Sequence, residues 1–247
     1  MVLIPACELR ANWNVVPNGV LHVGAHLGEE ASEYENLGWS PITWIEAQPK
    51  LVNQLRESLS SNKHKVIEAA IWHEDNVYMK LNLATNSQSS SFLNFGTHSK
   101  FYPNVQFSNT ISVLTKRIDS LIKPEAMPNF INIDIQGVEL QALKSLGALM
   151  DKLDYLYLEV NRREVYSNCT QVGEIDRFLA NHGFKRVITR WFLIQGWGDA
   201  LYIKNSPSNR PSLVQKIRSN RNQIIFYSKQ IRLQLKIAIY KFVKGKE

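Results

Sequence analysis

Residues 1–205 alternate between short apolar runs and stretches in which apolar residues recur every three or four positions. Short apolar runs bounded by turn residues are typical of buried strands, whereas the longer period is typical of amphipathic helices. The predicted strands are 20–23, 42–45, 66–72, 77–83, 130–135, 155–160, 186–192 and 199–203. The predicted helices are 29–37, 49–59, 138–149 and 172–182. Strands that alternate with helices predict an α/β fold with a mainly parallel sheet.

Residues 193–198 join the last two predicted strands through a connection of hairpin length. We therefore expect the parallel sheet to close in an antiparallel C-terminal hairpin. Dehydrogenases of related architecture end in βαβ units instead. A mainly parallel sheet with this hairpin is the arrangement of Rossmann-like class I methyltransferases, which use S-adenosylmethionine (SAM).

The segment 84–110 is rich in Asn, Ser and Gly and shows no clear period. A loop of this length inside a compact domain is usually either functional or disordered. Its aromatic residues argue against disorder; they are Phe92, Phe95, Phe101, Tyr102 and Phe107. We predict that the segment is an ordered lid over an active site.

We interpret residues 1–205 as the methyltransferase domain and residues 206–247 as a separate extension. Pro207 and Pro211 indicate a linker. Apolar residues then recur every seven positions, with a flank four positions further on; they are Ile217, Ile224, Ile231 and Ala238, flanked by Leu235 and Phe242. This spacing predicts one long amphipathic helix. Three uses stay open for it: packing on the domain or on a second copy, lying on an anionic membrane surface, or holding an acidic partner or nucleic acid.

The charge of the chain is concentrated in that extension. Residues 210–247 contain ten Lys or Arg and one acid, so the net charge of +7 leaves −2 for residues 1–209. A near-neutral body gives no reason to expect nucleic acid as a partner. Two cysteines, Cys7 and Cys169, are too few for a disulfide framework, and no Cys/His cluster has zinc spacing. The sequence shows no leader-like start and no apolar run long enough to span a membrane, so we expect a cytoplasmic protein. It would be peripheral to the membrane if its C-terminal helix binds there.

A glycine pair follows the first predicted strand. Gly24 ends the apolar run and Gly28 lies four residues later, before a polar, helix-favouring stretch. In nucleotide-binding α/β folds the first glycine allows a tight turn and the second allows close approach of a ligand. Glu46 ends the second strand 22 residues after Gly24, where such folds hold the ribose hydroxyls of an adenosine-containing cofactor. The spacing predicts a nucleotide-type cofactor site.

The run FINIDIQGVELQALK over 130–144 resembles the signature of FkbM-family methyltransferases, K-I-D-V-E-G-x-E-x-x-V-L-K. The resemblance covers roughly residues 17–204. Further similar segments lie at 22–29, 46–49, 89–91, 158–161 and 196–202. The sequence departs from the family pattern at three positions: His22 replaces Asp, His26 replaces Asn and Gln136 replaces Glu.

The resemblance implies SAM as the cofactor and a role for particular residues in binding it. Gly24, His26 and Gly28 would line its methionine and ribose portion, with Asp134 at the same edge. Glu46 would hold the ribose. The small side chains of Ala69 and Ala70 would leave room for the adenine.

Asp134 is the leading candidate for the catalytic base, because it follows an apolar strand at the edge where ligands bind in open α/β folds. Capping of the next helix is its structural alternative. His98 in the lid is a second candidate base. Glu159 ends the neighbouring strand and could bind substrate. With Asp134 it could also form part of an Mg²⁺ site, although we do not expect a metal to be required.

The acceptor pocket is expected to be bordered by Ser90, Trp197 and Asp199, since an indole stacks on the apolar face of a sugar. The resemblance implies O-methylation of a hydroxyl, in a sugar of a polysaccharide or glycoconjugate. The alternatives are an RNA methyltransferase, or a non-catalytic module of this fold that docks a glycan-assembly partner. The sequence also leaves undecided whether the chain forms a homo-oligomer through its C-terminal helix.

Overall fold

The computed structural model describes residues 2–205 and 212–244, with side chains as far as Ile237. The strands are β1 (Val20–Val23), β2 (Ile42–Glu46), β3 (His64–Glu68), β4 (Ala70–Ile71), β5 (Tyr78–Ala84), β6 (Phe107–Lys116), β7 (Phe130–Ile133), β8 (Tyr155–Asn161), β9 (Phe184–Trp191) and β10 (Trp197–Lys204). The α-helices are α1 (Ala6–Trp13), α2 (Ala31–Asn36), α3 (Pro49–Ser58), α4 (His98–Phe101), α5 (Ile118–Leu121), α6 (Glu139–Lys144), α7 (Val172–Asn181) and α8 (Leu213–Lys244). The predicted linker around Pro207 and Pro211 lies outside the described residues.

Seven strands form the main sheet in the order β3-β2-β1-β7-β8-β10-β9. The first five are parallel, with Val20 in register with both Ile42 and Phe130. Only β10 runs antiparallel, pairing with β8 and β9. The predicted fold class is confirmed: a mainly parallel α/β sheet closes in an antiparallel hairpin. The carboxyl ends of β1, β2, β7 and β8 meet at one edge of this sheet.

The two faces of the sheet are covered by separate apolar clusters. Successive residues of β1 point to opposite faces, so Leu21 and Val23 pack in one cluster and Val20 packs in the other. Both faces of β1 and β7 are buried, which explains why these strands read as continuous apolar runs. Burial on both faces fixes the strand ends rigidly, and with them the loops that follow.

A second, three-stranded sheet in the order β4-β6-β5 corrects two predictions. The strand predicted at 66–72 is divided, because β3 ends at Glu68 and β4 leaves the main sheet. The segment predicted as loop through residue 110 already contains the start of β6. Most β6 side chains are exposed or half-buried, and only Thr115 is buried. The strand therefore carries only a short apolar alternation, at Ile111 and Val113, by which it could be recognised.

One helical prediction is also corrected. The helix predicted at 138–149 ends at Lys144, and a 3₁₀ turn follows from Gly147, whose φ of +49° is left-handed. Helix α1 was not predicted. The extension does form one long helix, α8, as its spacing predicted, although the side chains of Ala238 and Phe242 lie outside those that the structure describes. Among the described helices, none is long and apolar enough to cross a membrane.

Candidate functional site

The turn after β1 is held against the end of β7. Gly24 has a φ of +84°, and a Cβ on it would lie 1.9 Å from the backbone oxygen of Asp134. Its N–H donates to the carbonyl of Ile45 at 2.9 Å. No side chain other than hydrogen fits this position without moving the backbone of either strand. The glycine therefore brings three strand ends together at the edge of the sheet.

Gly28 lies elsewhere than expected. Its φ is +72°, but a Cβ on it would meet Leu55 and Leu59 of the α3 region at 3.0 Å. Gly28 lines neither of the two cavities described below. The close approach that requires this glycine is made by a neighbouring helix, and the structure does not bring Gly28 to a ligand site.

Glu46 is a buried carboxylate that faces the turn after β1. It is 6% exposed, and its two oxygens accept the backbone N–H groups of His26 and Gln48, each at 2.9 Å. Burial raises the pKa of Glu46, and these hydrogen bonds oppose the rise. A carboxylate offers about four acceptor sites. Glu46 therefore keeps capacity for further donors, such as two vicinal hydroxyls.

A cavity of about 80 Å³, the smaller cavity, lies next to Glu46. Its lining includes Ala69, Ala70, Phe92 and Ser90. Ala69 and Ala70 are 7% and 3% exposed, and their methyl groups leave space that larger side chains would occupy. The Ser90 hydroxyl accepts the N–H of Ala84 at 3.1 Å, which holds the lid against β5. Ser90 therefore borders this cavity and not the acceptor side expected for it.

A cavity of about 220 Å³, the larger cavity, adjoins the first. Its lining includes His22, His98, Glu159, Trp197 and Tyr102. Five residues line both cavities; they are Gly24, His26, Gln88, Asp134 and Gln136. The structure thus brings most of the predicted site residues to two connected cavities that meet at Asp134.

Gln136 connects the two predicted carboxylates. Its φ of +58° is left-handed, and its side-chain amide donates to Asp134 Oδ1 and, at 3.2 Å, to Glu159 Oε2. The Tyr166 hydroxyl donates to Gln136 Oε1, and the Ser91 hydroxyl donates to the Gln136 carbonyl. A glutamate at this position could not donate to either carboxylate. The departure from the family pattern noted above therefore supplies a neutral donor between two acids.

The two acids have raised pKa values. Burial raises the pKa of Asp134. Burial, together with the nearby charges of Asp134 and Glu139, raises the pKa of Glu159 well above its ordinary range. Burial and mutual repulsion therefore favour one proton shared by the pair over two ionised carboxylates.

Asp134 does not cap the following helix. The residue before α6 is Val138, and the helix has no side-chain cap. Glu139 instead closes the turn, because its Oε1 accepts the N–H groups of Gly137 at 2.9 Å and Ile135 at 3.3 Å. Burial raises the pKa of Glu139 to about 7. The Asp134 carboxylate is thereby left facing the cavities.

Three histidines line the larger cavity. His26 contacts Glu29 through Nδ1 at 2.6 Å and Ser87 through Nε2 at 2.7 Å. Burial alone would lower the pKa of His26, but the bond with Glu29 and nearby carboxylates raise it overall. Burial lowers the pKa of His22 to about 4, and it lowers the pKa of His98. His22 and His98 are therefore neutral near pH 7, and within the described residues the Nδ1 atom of each has no partner.

The lid is ordered and packs on the segment after β8. Gly96 and His98 donate their N–H groups to the carbonyl of Val165 at 2.9 and 3.1 Å. The His98 ring stacks on Phe95 with a centroid separation of 4.3 Å, and His98 Nε2 contacts the Ser89 hydroxyl at 3.3 Å. His98, predicted in the lid, is thus placed in the cavity wall.

Asp199 is not brought to the cavities. Its carboxylate accepts the N–H of Leu3 at 2.7 Å and the hydroxyl of Tyr157, and burial raises its pKa to about 7. Trp197 lies two residues nearer the sheet edge and does line the larger cavity. The N-terminal segment covers Asp199, which makes that residue part of the packing below the site.

Sequence reasoning did not propose several residues of the cavity wall. His22 was noted only as a departure from the family pattern, and Gln88, Ser89 and Tyr102 lie in the lid. The polar residues beside aromatics in 84–110 were the available signal. Within the described residues, no group of three or more His, Cys, Asp or Glu side chains is arranged to hold a metal ion.

A family model described as the methyltransferase FkbM domain matches residues 22–186. No curated protein matches the chain. Among solved structures, Sp1610 of Streptococcus pneumoniae, a candidate tRNA (m1A22) methyltransferase, is 14% identical with a TM-score of 0.51, over 98% of this chain and 87% of that one. The precorrin-6y C5,15-methyltransferase of Geobacter metallireducens is also 14% identical, with a TM-score of 0.44 over 82% and 87% of the two chains. At its identity and TM-score, the Sp1610 structure shows a shared fold.

Proposed function

The chain belongs to the FkbM methyltransferase family, and we propose that it transfers a methyl group from SAM to a hydroxyl of a sugar in a polysaccharide or glycoconjugate. SAM is the cofactor of this enzyme class, and it supplies the methyl group from a positively charged sulfonium. The residues of the two cavities fit it. Glu46 would accept the ribose hydroxyls, and Ala69 and Ala70 would flank the adenine. The methionine portion would lie along Gly24, where the unpartnered Nδ1 of neutral His22 can accept from an ammonium group.

The observation that carries the proposal is the position of Asp134, which lines both cavities. A group at this junction lies between the adenosine of a cofactor in the smaller cavity and an acceptor in the larger one, into which the methionine portion would extend towards His22. Asp134 would take the proton of the acceptor hydroxyl as its oxygen bonds to the methyl carbon, while the bond between that carbon and the sulfur of SAM breaks and S-adenosylhomocysteine leaves. Proton removal matters because a neutral hydroxyl is a weak nucleophile.

Glu159 and Gln136 set the protonation state of that base. The Gln136 amide lies closer to Asp134 Oδ1 than to Glu159 Oε2, which favours the ionised form of Asp134 and leaves the proton that the pair shares on Glu159. The Gln136 amide then stabilises the ionised Asp134 by donating to Oδ1. In its protonated form Glu159 can donate a hydrogen bond to the acceptor and orient it.

The acceptor wall favours a sugar. Trp197 and Tyr102 provide aromatic surface on which the apolar face of a pyranose stacks, and Gln88 and Ser89 provide polar atoms for its hydroxyls. Residues 1–209 carry a net charge of −2, which gives an RNA backbone no attraction to this domain.

Methyl transfer from labelled SAM to candidate glycans, followed by mass spectrometry, tests this proposal. We expect label in the carbohydrate fraction and a mass increase of one methyl group on a hydroxyl. A Trp197→Ala variant should raise KM for the glycan more than it lowers kcat. Preferential labelling of total RNA would instead identify an RNA methyltransferase. No SAM binding at millimolar concentration by calorimetry would favour a non-catalytic module.

Changing Gln136 to Glu is expected to shift the acid limb of the pH–rate profile upwards by about one pH unit. The new carboxylate removes the donor to Asp134 and adds a like charge, and both effects raise the pKa of the base. Activity below neutral pH should therefore fall, and recover as the pH rises. Gln136→Asn, which weakens the donor by shortening the side chain but adds no charge, is the matched control and should shift the limb less, even if kcat decreases. An unshifted limb in Gln136→Glu would exclude Asp134 as the titrating base.

Residues 86–106 are expected to become protected from hydrogen exchange when SAM and the acceptor bind. The lid supplies Gln88, Ser89 and His98 to the cavity wall, so bound ligands should restrict its opening and exclude water. Amides of β8, buried in the sheet, provide the internal control and should exchange equally in both states. Equal exchange of the lid with and without ligands would mean that it is a static wall.

A further inference from the structure

Helix α8 docks on the domain through polar side chains. Gln223 and Gln230 donate from Nε2 to the carbonyls of Thr189 and Trp191 at 3.0 and 3.1 Å. Gln230 Oε1 accepts the N–H of Leu193 at 3.1 Å, and the Tyr227 hydroxyl accepts the N–H of Trp191 at 3.2 Å. Because β9 is the edge strand, these bonds satisfy backbone groups that no further strand pairs. The face of α8 that meets the protein is thus largely polar, with the Phe226 ring packed against the Arg190 guanidinium.

The apolar stripe of α8 is left exposed. It consists of Leu213, Ile217, Ile224, Ile231 and Leu235, with exposed fractions of 73%, 61%, 70%, 51% and 57%. At 100° per residue these positions fall on one side of the helix, about a quarter turn from Gln223. A surface helix normally buries such a stripe. A row of exposed large aliphatic side chains on one side of a helix indicates an interaction surface.

Basic residues lie beside this stripe, on the side of the helix away from the domain. They are Arg221, Lys229, Arg232 and Lys236, all exposed, and residues 213–244 contain no acid. Helices that lie in a membrane interface have this distribution, with aliphatic side chains at the acyl boundary and Lys or Arg at the headgroups.

We propose that α8 binds flat on an anionic bilayer surface, with the apolar stripe inserted and the flanking basic residues on lipid phosphates. A second copy of this chain is a poorer occupant, because pairing two such faces would bring only positive charges together. RNA is also a poorer occupant, because aliphatic side chains make no favourable interaction with its phosphates. Binding in this mode is independent of methyl transfer.

Vesicle flotation of the full chain tests the proposal. We expect binding to vesicles of phosphatidylcholine with one quarter phosphatidylglycerol, little binding to phosphatidylcholine alone, and release in 0.5 M NaCl. Substituting the stripe (Ile217→Asn, Ile224→Asn and Ile231→Asn together) should weaken binding by about 10- to 100-fold. Substituting the charges (Lys229→Gln, Arg232→Gln and Lys236→Gln together) should weaken it by a similar factor.

Val16→Asn with Tyr78→Ser is the matched control, since both residues are exposed and lie off α8, at 57% and 76%. This variant should bind vesicles like the unchanged chain, and circular dichroism and SAM binding should be equal in all variants. Equal binding to neutral and anionic vesicles, or none to either, would overturn the proposal. The proposal would also be overturned if light scattering showed a dimer, only the stripe variant converted it to a monomer, and the chain did not bind vesicles. Tighter binding to RNA than to anionic vesicles would overturn it as well.

Discussion

Replacing Asp134 by Asn is expected to lower kcat by about 10²–10⁴-fold, the contribution typical of a general base. Asn keeps the size of the side chain, and its Oδ1 can still accept from the Gln136 amide. Cofactor affinity should change much less, because proton acceptance is needed in the transition state rather than in the bound ground state. Single-turnover kinetics together with calorimetric titration of SAM would separate the two effects.

The control for this result is His98→Ala, which removes the candidate base that the lid supplies to the larger cavity. Neutral His98 could accept a proton near pH 7, since burial lowers its pKa. If His98→Ala abolishes turnover while Asp134→Asn retains most of it, the base lies in the lid. If added Mg²⁺ restores the rate of Asp134→Asn and a chelator abolishes it again, the result would instead indicate a metal ion bound by Asp134 and Glu159 in the unchanged chain.

The parallel strands could be predicted because burial on both faces makes them continuous apolar runs. Their carboxyl ends must share one edge, so Gly24, Glu46, Asp134 and Glu159 could be assigned to one site before any contact was known. Strand β6 was not predicted, because its period of two is short and weak: Ile111 and Val113 are only half-buried, and Leu114 between the inward positions is exposed. Periodicity reports burial, and a strand that is stabilised by pairing alone carries little of it.

The errors at the site have a different cause. The spacing of Gly28 indicated a close approach, but it could not distinguish a ligand from the leucines of a neighbouring helix. Asp199 and Trp197 share a face of β10, yet Asp199 lies about 7 Å further from the edge, under an N-terminal segment with no predicted structure. The apolar period of α8 similarly predicted the helix but not which of its faces meets the domain.

The adenosine side of the site gives the second large expected effect. Replacing Glu46 by Ala should weaken SAM binding by about 10- to 100-fold, because charge-assisted hydrogen bonds of roughly 1.5–3 kcal/mol each connect a carboxylate to its donors. The substitution also leaves the N–H groups of His26 and Gln48 without acceptors. Calorimetric titration of SAM, with the thermal midpoint as a check on the fold, measures the effect.

Two further variants separate loss of the ribose bonds from disorder of the turn after β1. Glu46→Gln keeps one acceptor for a backbone N–H and removes the charge, so it should give an intermediate Kd. Glu57→Ala removes an exposed acid on α3 that lines neither cavity, and it should leave Kd unchanged. An unchanged Kd in Glu46→Ala would place the ribose away from β2. The smaller cavity would then not be the adenosine site, and Asp134 would lose its position between cofactor and acceptor.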